Sequence, residues 1–257
     1  MAQRAGVGQP TVSKVENGRM VPSRDVLDRL SGALGLDAAV VSEMRAALTD
    51  VESAASVDAG DDLSGLSASA DADVDLAVRG ARLVRSFQCV VLPAMLQSAE
   101  YARHVFASVP GADAAEVGRA VAARVERQSV LYEPGRESVF VVTEGVLRTW
   151  PGSPALMLAQ LDRLLAVESL TTVRLGVLPW DRPVPVMPRH GFTLCDRETV
   201  VVETFRDERA EKGPDVLASC EETFAQFEGA ALFGGEAREL LMRIMGDLRA
   251  LPEDVTP

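Results

Sequence analysis

Apolar residues recur at helical spacing through the opening of the chain, and glycines and prolines mark where each segment stops. A short helical piece ends at Gly6, and Val7 and Gly8 make a turn. Pro10 is tolerable only in the first turn of a new helix, where a backbone N–H has no intrahelical acceptor, so Gly8 is the expected N-cap. In that helix Val12 and Val15 face inward, Gln9, Thr11 and Lys14 project from the other side, and Asn17-Gly18 supplies a left-handed stop. A third helix starts at a Ser23 cap, carries Val26, Leu27, Leu30, Ala33 and Leu34 as its stripe, and ends at Gly35. A fourth, from Asp37, carries Val40, Val41, Met44 and Leu48. Short helices joined by tight glycine turns, with polar donors on the open face of the second, are what a helix-turn-helix requires.

The pattern then lapses. Residues 50–78, beginning DVESAASVDAGDD, hold no aromatic residue and no sustained apolar period, and read as a flexible acidic linker. Beyond it, RGARLVRSFQCVV reads as a short extended or helical lead, followed by a break at Pro93 and a helix through Tyr101 and Phe106. AEVGRAVAARVERQSVLYE is a helix, and ESVFVVTEG is a buried strand with Glu144 at its exit. Ser153-Pro154 opens another helix and TTVRLGVLP makes a second strand, an order that predicts a right-handed parallel crossover. GFTLCD and TVVVETF, separated by Arg197-Glu198, read as an antiparallel hairpin. Two closing helices follow, one with Val216, Cys220, Phe224, Phe227 and Ala231, the next after Gly234-Gly235 with Ala237, Leu240, Leu241, Ile244 and Leu248. The expected fold class is α+β. An all-helical domain spans 1–49, the linker 50–78, and a domain of about four strands in a mixed sheet surrounded by helices spans 79–257.

Composition narrows the function. In 257 residues, 47% hydrophobic and 25% charged are ordinary values for a globular chain. No apolar run reaches the roughly 18 to 20 residues of a membrane span, and the first residues lack the order of a secretion signal, so a cytoplasmic protein is expected. The net charge of −12 argues against a chain that coats nucleic acid, but the charge is unevenly placed. Residues 1–36 hold five basic residues (Arg4, Lys14, Arg19, Arg24, Arg29) against three acidic ones, whereas 50–78 hold eight acidic residues and no Lys or Arg. Cys89, Cys195 and Cys220 are odd in number and scattered, and neither His104 nor His190 has a second imidazole at ligand spacing. No disulfide frame, metal site or cofactor is expected.

The run AQRAGVGQPTVSKVENGR, with the Pro and Leu positions after it, resembles the repressor-type helix-turn-helix of the XRE (Cro/repressor-like) family. The resemblance implies that Gln9, Pro10, Thr11 and Lys14 approach base edges and that Asn17, Gly18 and Arg19 approach phosphate. Pro10 stands where the family has a polar residue and offers only van der Waals contact, which relaxes readout at one base. The family's first helix has no counterpart here, and Met1 stands where a Leu inside the second helix is expected, so a start codon upstream is expected, the alternatives being that the C-terminal part or a partner covers the gap or that DNA binding has been lost. The later order LPAMLQSAEYAR, RVERQSVL, TEGVLR, QLDRLL and VRLGVLP is similar to the uncharacterised domain that follows such a helix-turn-helix in actinobacterial, Streptomyces-type regulators. That likeness implies a small cognate partner protein and a role in transcriptional control.

Within the helix AEVGRAVAARVERQSVLYE, Val117, Val121, Val125 and Leu131 form an apolar arc, and Arg124 and Gln128 fall inside it. A guanidinium facing a core must be hydrogen-bonded and preferably paired, or its burial costs several kcal/mol. Gln160 lies within the broad apolar arc of its own helix. Arg124, Gln128, Glu144 and Gln160 are therefore candidates to line a ligand or partner pocket; the alternative is an internal ion-pair and amide network. The reading expected from the whole sequence is a DNA-binding transcriptional regulator, a homodimer on a double-stranded operator, whose C-terminal domain senses a ligand or partner. The competing reading is a protein-interaction module without DNA affinity. An enzyme is not expected, since no nucleophile and base, metal pair or phosphate loop is visible.

Overall fold

The helices of the opening segment form where glycine and proline punctuate it, in a computed structural model that describes residues 2–17, 20, 22–55, 70–203 and 208–251. Internal contacts divide the chain into two units, 1–62 and 63–257. In the first, α1 is Ala2–Ala5, α2 Gln9–Glu16, α3 Arg24–Leu34 and α4 Ala38–Ala55. Gly6 (φ 62°) and Gly35 (φ 66°) take the left-handed conformation that lets the chain reverse after α1 and α3. Ser23 caps α3, its Oγ accepting from the Val26 N–H at 3.4 Å. Ala5, Val12 and Leu30 are buried together, with Val7, Val15, Val26 and Ala33 packed around them.

Two expectations for this unit need correction. Asn17 is not left-handed: its φ is −93°, and its side-chain amide donates to the Ser13 carbonyl at 2.7 Å, closing the helix by a local bond. Gly18, the other half of the expected stop, lies outside the described residues. The apolar stripes of the third and fourth helices are also only half used. Leu27, Leu30 and Leu48 are buried, but Leu34, Val40 and Met44 are exposed.

In the second unit α5 is Ala70–Gly80, so residues 70–78 of the expected linker are helix, and Val74 and Val78 enter the core. A six-stranded mixed sheet follows: β1 Leu83–Gln88, β2 Glu137–Thr143, β3 Val173–Leu178, β4 Phe192–Cys195, β5 Thr199–Glu203 and β6 Glu208–Glu211. Its order is β3-β2-β1-β4-β5-β6, parallel from β3 to β1 and antiparallel from β1 onward. Six strands replace the expected four. The extended or helical lead became the central strand, because the Asp196 carboxylate accepts from the Arg82 and Leu83 N–H groups and starts β1 beside β4. β6, of sequence ERAE, has no apolar alternation to betray it and pairs only as an edge.

The remaining helices are α6 Ala99–Ala107, α7 Ala114–Arg127, α8 Glu144–Arg148, α9 Pro154–Glu168, α10 Pro214–Ala230 and α11 Gly234–Arg249. Alternation along the strands sorts them into layers. Phe140, Val142, Leu175 and Val177 pack with α9 and α11, while Phe87, Val139, Val141 and Leu194 pack with α10, where Phe87 and Phe227 stack at 3.9 Å. α7 stops at Arg127 and tightens into a 3-10 turn over Gln128–Tyr132, so Leu131 is buried while Val125 is left exposed.

Candidate functional site

In the first unit α2 is built to offer one polar face. Gly8 is extended (φ −61°, ψ 138°), Pro10 falls in the first turn, and the Gly8 carbonyl accepts from the Thr11 and Val12 N–H groups at 3.0 and 3.1 Å. Gln9, Pro10, Ser13, Lys14 and Asn17 are exposed, Thr11 is half-buried, and Val12 anchors the opposite side at 2% exposure. Among the described contact residues, Asn17 is the one whose side chain is already engaged, by the Ser13 carbonyl. Gly18 and Arg19 lie outside the described residues.

In the second unit the four candidate residues do not form one pocket. Arg124 and Gln128 meet around Gln97: Arg124 Nη1 donates to Gln97 Oε1 at 2.9 Å, and Gln128 Nε2 donates to the Gln97 and Ala94 carbonyls at 2.8 and 3.0 Å. Arg163 closes the group through Gln128 Oε1 at 2.5 Å. Gln160 is fully buried beside them and serves backbone, accepting from the Ser98 N–H at 2.6 Å and donating to the Leu96 carbonyl at 2.9 Å. Glu144 lies elsewhere, at the first turn of α8, where Arg148 Nε (2.7 Å) and the Trp180 N–H (3.0 Å) hold its two oxygens.

The charged centre is larger than the sequence indicated. Arg124 Nη2 reaches Glu208 Oε1 at 3.1 Å, Arg127 Nη1 reaches Glu208 Oε2 at 3.4 Å, and Arg127 Nε donates to Asp75 Oδ1 at 2.9 Å. The Arg124 guanidinium also lies 4.2 Å from the Phe106 ring centroid. Glu203 is the register partner of Glu208 across the β5–β6 hairpin. Burial first, and then the Glu208 carboxylate, push its carboxyl up to about 7 against the pull of Arg124 and Arg127. A cavity of about 30 Å³ opens between these groups and the sheet, lined by Arg127, Glu203, Glu208, Ser86 and Thr193 together with apolar side chains. Arg127 was detectable in the sequence, one turn on from Arg124 on the same helix. Asp75, Glu203 and Glu208 were not, because only the docking of α5 and the hairpin register bring them to α7.

Beside Glu144 a second cavity of about 120 Å³ is lined by Asp181, Arg182, Glu236, Glu239 and Arg243. Among the described residues, no group of three or more His, Cys, Asp or Glu is arranged to hold a metal, and no helix is long and apolar enough to cross a membrane. Residues 74–243 match the family described as "Domain of unknown function (DUF5753)", and residues 1–41 match the family described as "Helix-turn-helix". No curated protein and no solved structure matches the chain.

Proposed function

Because the chain belongs to the DUF5753 family and opens with a helix-turn-helix, we propose that it is a transcriptional regulator that reads an operator with α2 and receives a small cognate partner protein on its C-terminal domain. The carrying observation is the polar, exposed face of α2, where Gln9 and Lys14 stand clear of the core that Val12 enters. Gln9, Pro10, Thr11 and Lys14 take the base-edge positions, Lys14 adding a cation on the exposed face of α2. Asn17, Gly18 and Arg19 take the phosphate positions. As a homodimer the protein would occupy half-sites about 10 base pairs apart or a multiple of that.

At the sites beside Arg127 and Glu144, cavity size favours a protein partner over a small-molecule effector. A drug-sized ligand needs about 300 to 1,000 Å³, against the roughly 30 and 120 Å³ beside Arg127 and Glu144. Arg124, Gln128, Glu144 and Gln160 then act behind the partner surface, by holding α7, α8 and α9 in place. Trp180, 65% exposed and backed by Arg148 at 5.3 Å from its ring centroid, favours a second reading in which the chain is an interaction module that binds no DNA.

A gel-shift titration with DNA from around the protein's own gene, at stepped salt, separates the two. Binding should weaken with salt, and Lys14→Ala should lower affinity and reduce the log–log salt slope by about 0.9. Equal affinity for Lys14→Ala, Gln9→Ala and Arg19→Ala would overturn the operator reading. Absence of any shift, with a small protein retained by the chain, would establish the interaction module instead.

A further inference from the structure

Arginines withdrawn from solvent in the C-terminal unit meet carboxylates. Arg79, Arg85, Arg124, Arg127, Arg136 and Arg148 each have a carboxylate oxygen at 2.7 to 3.1 Å. Arg163, half-buried on α9, has none among the described residues. Its guanidinium makes one hydrogen bond, from Nη2 to the neutral Gln128 Oε1 at 2.5 Å, and its Nε is buried with no acceptor. Asp162 precedes it on α9 and is exposed, but adjacent helix side chains point about 100° apart and the two form no ion pair. A cation drawn out of water without a counter-charge is a cost to the folded chain. We propose that Arg163 is a carboxylate-binding site, and that an acidic side chain of the partner protein supplies the missing charge; this rests on the reading that the C-terminal domain receives a small protein.

The site is held ready by Gln128. That side chain is buried, and its Nε2 donates to the Ala94 and Gln97 carbonyls at 3.0 and 2.8 Å, which leaves its oxygen to Arg163. The bond fixes Nη2. With Nε shut from solvent, a ligand comes end-on, across Nη1 and the second Nη2 hydrogen, where the two oxygens of one carboxylate match the guanidinium plane. Val125, one turn before Gln128 on α7, and Tyr132, at the end of the 3-10 turn that Gln128 opens, are 43% and 58% exposed and put apolar surface on the same stretch of chain. Arginine and aromatic side chains of this kind anchor protein interfaces. A lone guanidinium next to the exposed Asp162 suits a single carboxylate, and does not suit the run of phosphates along a duplex.

An NMR titration of the isotope-labelled full chain tests this at the Arg163 Nε–H, assigned by its absence in Arg163→Lys. N-acetyl-Leu-Asp-Leu-amide should shift that signal to saturation and, through its leucines, bind about threefold or more tighter than acetate. The Leu-Asn-Leu peptide, and chloride at equal ionic strength, should leave it in place. No saturable response, or an equal response to chloride or to the Asn peptide, would overturn the carboxylate site. Acetate binding as tightly as the Asp peptide would overturn a protein side chain as the source. The partner reading is tested apart from this, by retention of a small protein on the chain, which Arg163→Gln should weaken. If wild type and Arg163→Gln retain it equally, the partner reading stands and the role of Arg163 falls.

Discussion

At the scale of single residues, the polar groups inside the C-terminal domain divide by what they hold. Gln97, Gln128 and Gln160 satisfy backbone groups of residues 92–98, a stretch that has no strand or long helix to pair them. Glu208 instead compensates two buried guanidiniums, and its loss leaves Arg124 without its carboxylate while Arg127 keeps only Asp75. Glu208→Ala should therefore cost about 3–5 kcal/mol in urea unfolding. By contrast Arg29→Ala, which breaks a pair whose side chains are 53% and 67% exposed, should change stability by no more than about 1 kcal/mol. Equal effects for the two would mean that the buried cluster is hydrated. The sequence identified Arg124 and Gln128 as misplaced on an apolar arc, which the structure explains; it could not name Glu208, 84 residues from Arg124.

Elements were legible where periodicity was strong and hidden where it was not. α9, α10 and α11 follow their apolar stripes, and α3 and α9 start at their expected serine caps, Ser153 Oγ accepting from the Leu156 N–H at the start of α9. β1 was obscured because Arg85 and Ser86 interrupt its pattern, yet each has a partner: Glu221 for Arg85 at 2.8 Å and Thr193 for Ser86 at 2.8 Å. The edge of β3 shows the same dependence on distant residues. Its Val177 bonds Leu232 through both backbone groups, and Phe233 then lies over Gly176 so closely that a Cβ there would sit 2.5 Å from the ring. Gly176→Ala should cost about 1–3 kcal/mol by forcing that ring away, and a stability equal to wild type in thermal melting would show that the ring has room to move.

For the whole molecule, two carboxylates with opposite shifts shape the dependence of stability on pH. Glu221, hydrogen-bonded to Arg85 and also paired with Arg197, has its carboxyl held below the usual range, so its contribution is present above that range and is lost as pH falls. Glu203, raised to about 7, works the other way: stability is full below about 4.5 and declines as pH rises to about 7. The melting temperature should peak in mildly acidic buffer, and Glu203→Gln should extend that plateau to about pH 8 and raise the melting temperature there. An unchanged profile in the variant would assign the alkaline decline to other groups. The sequence by itself determined the helical opening segment, the polar face of α2, the acidic stretch and an α+β domain after it, because periodicity, caps and turn residues act within a few positions of one another. Only the tertiary structure decided the sixth strand, the helix inside the expected linker, the separation of Glu144 from Arg124, and the meeting of Asp75, Glu203 and Glu208 with two arginines. Strand register and helix docking join residues far apart in the chain, and no local pattern encodes which of them come to share a buried site.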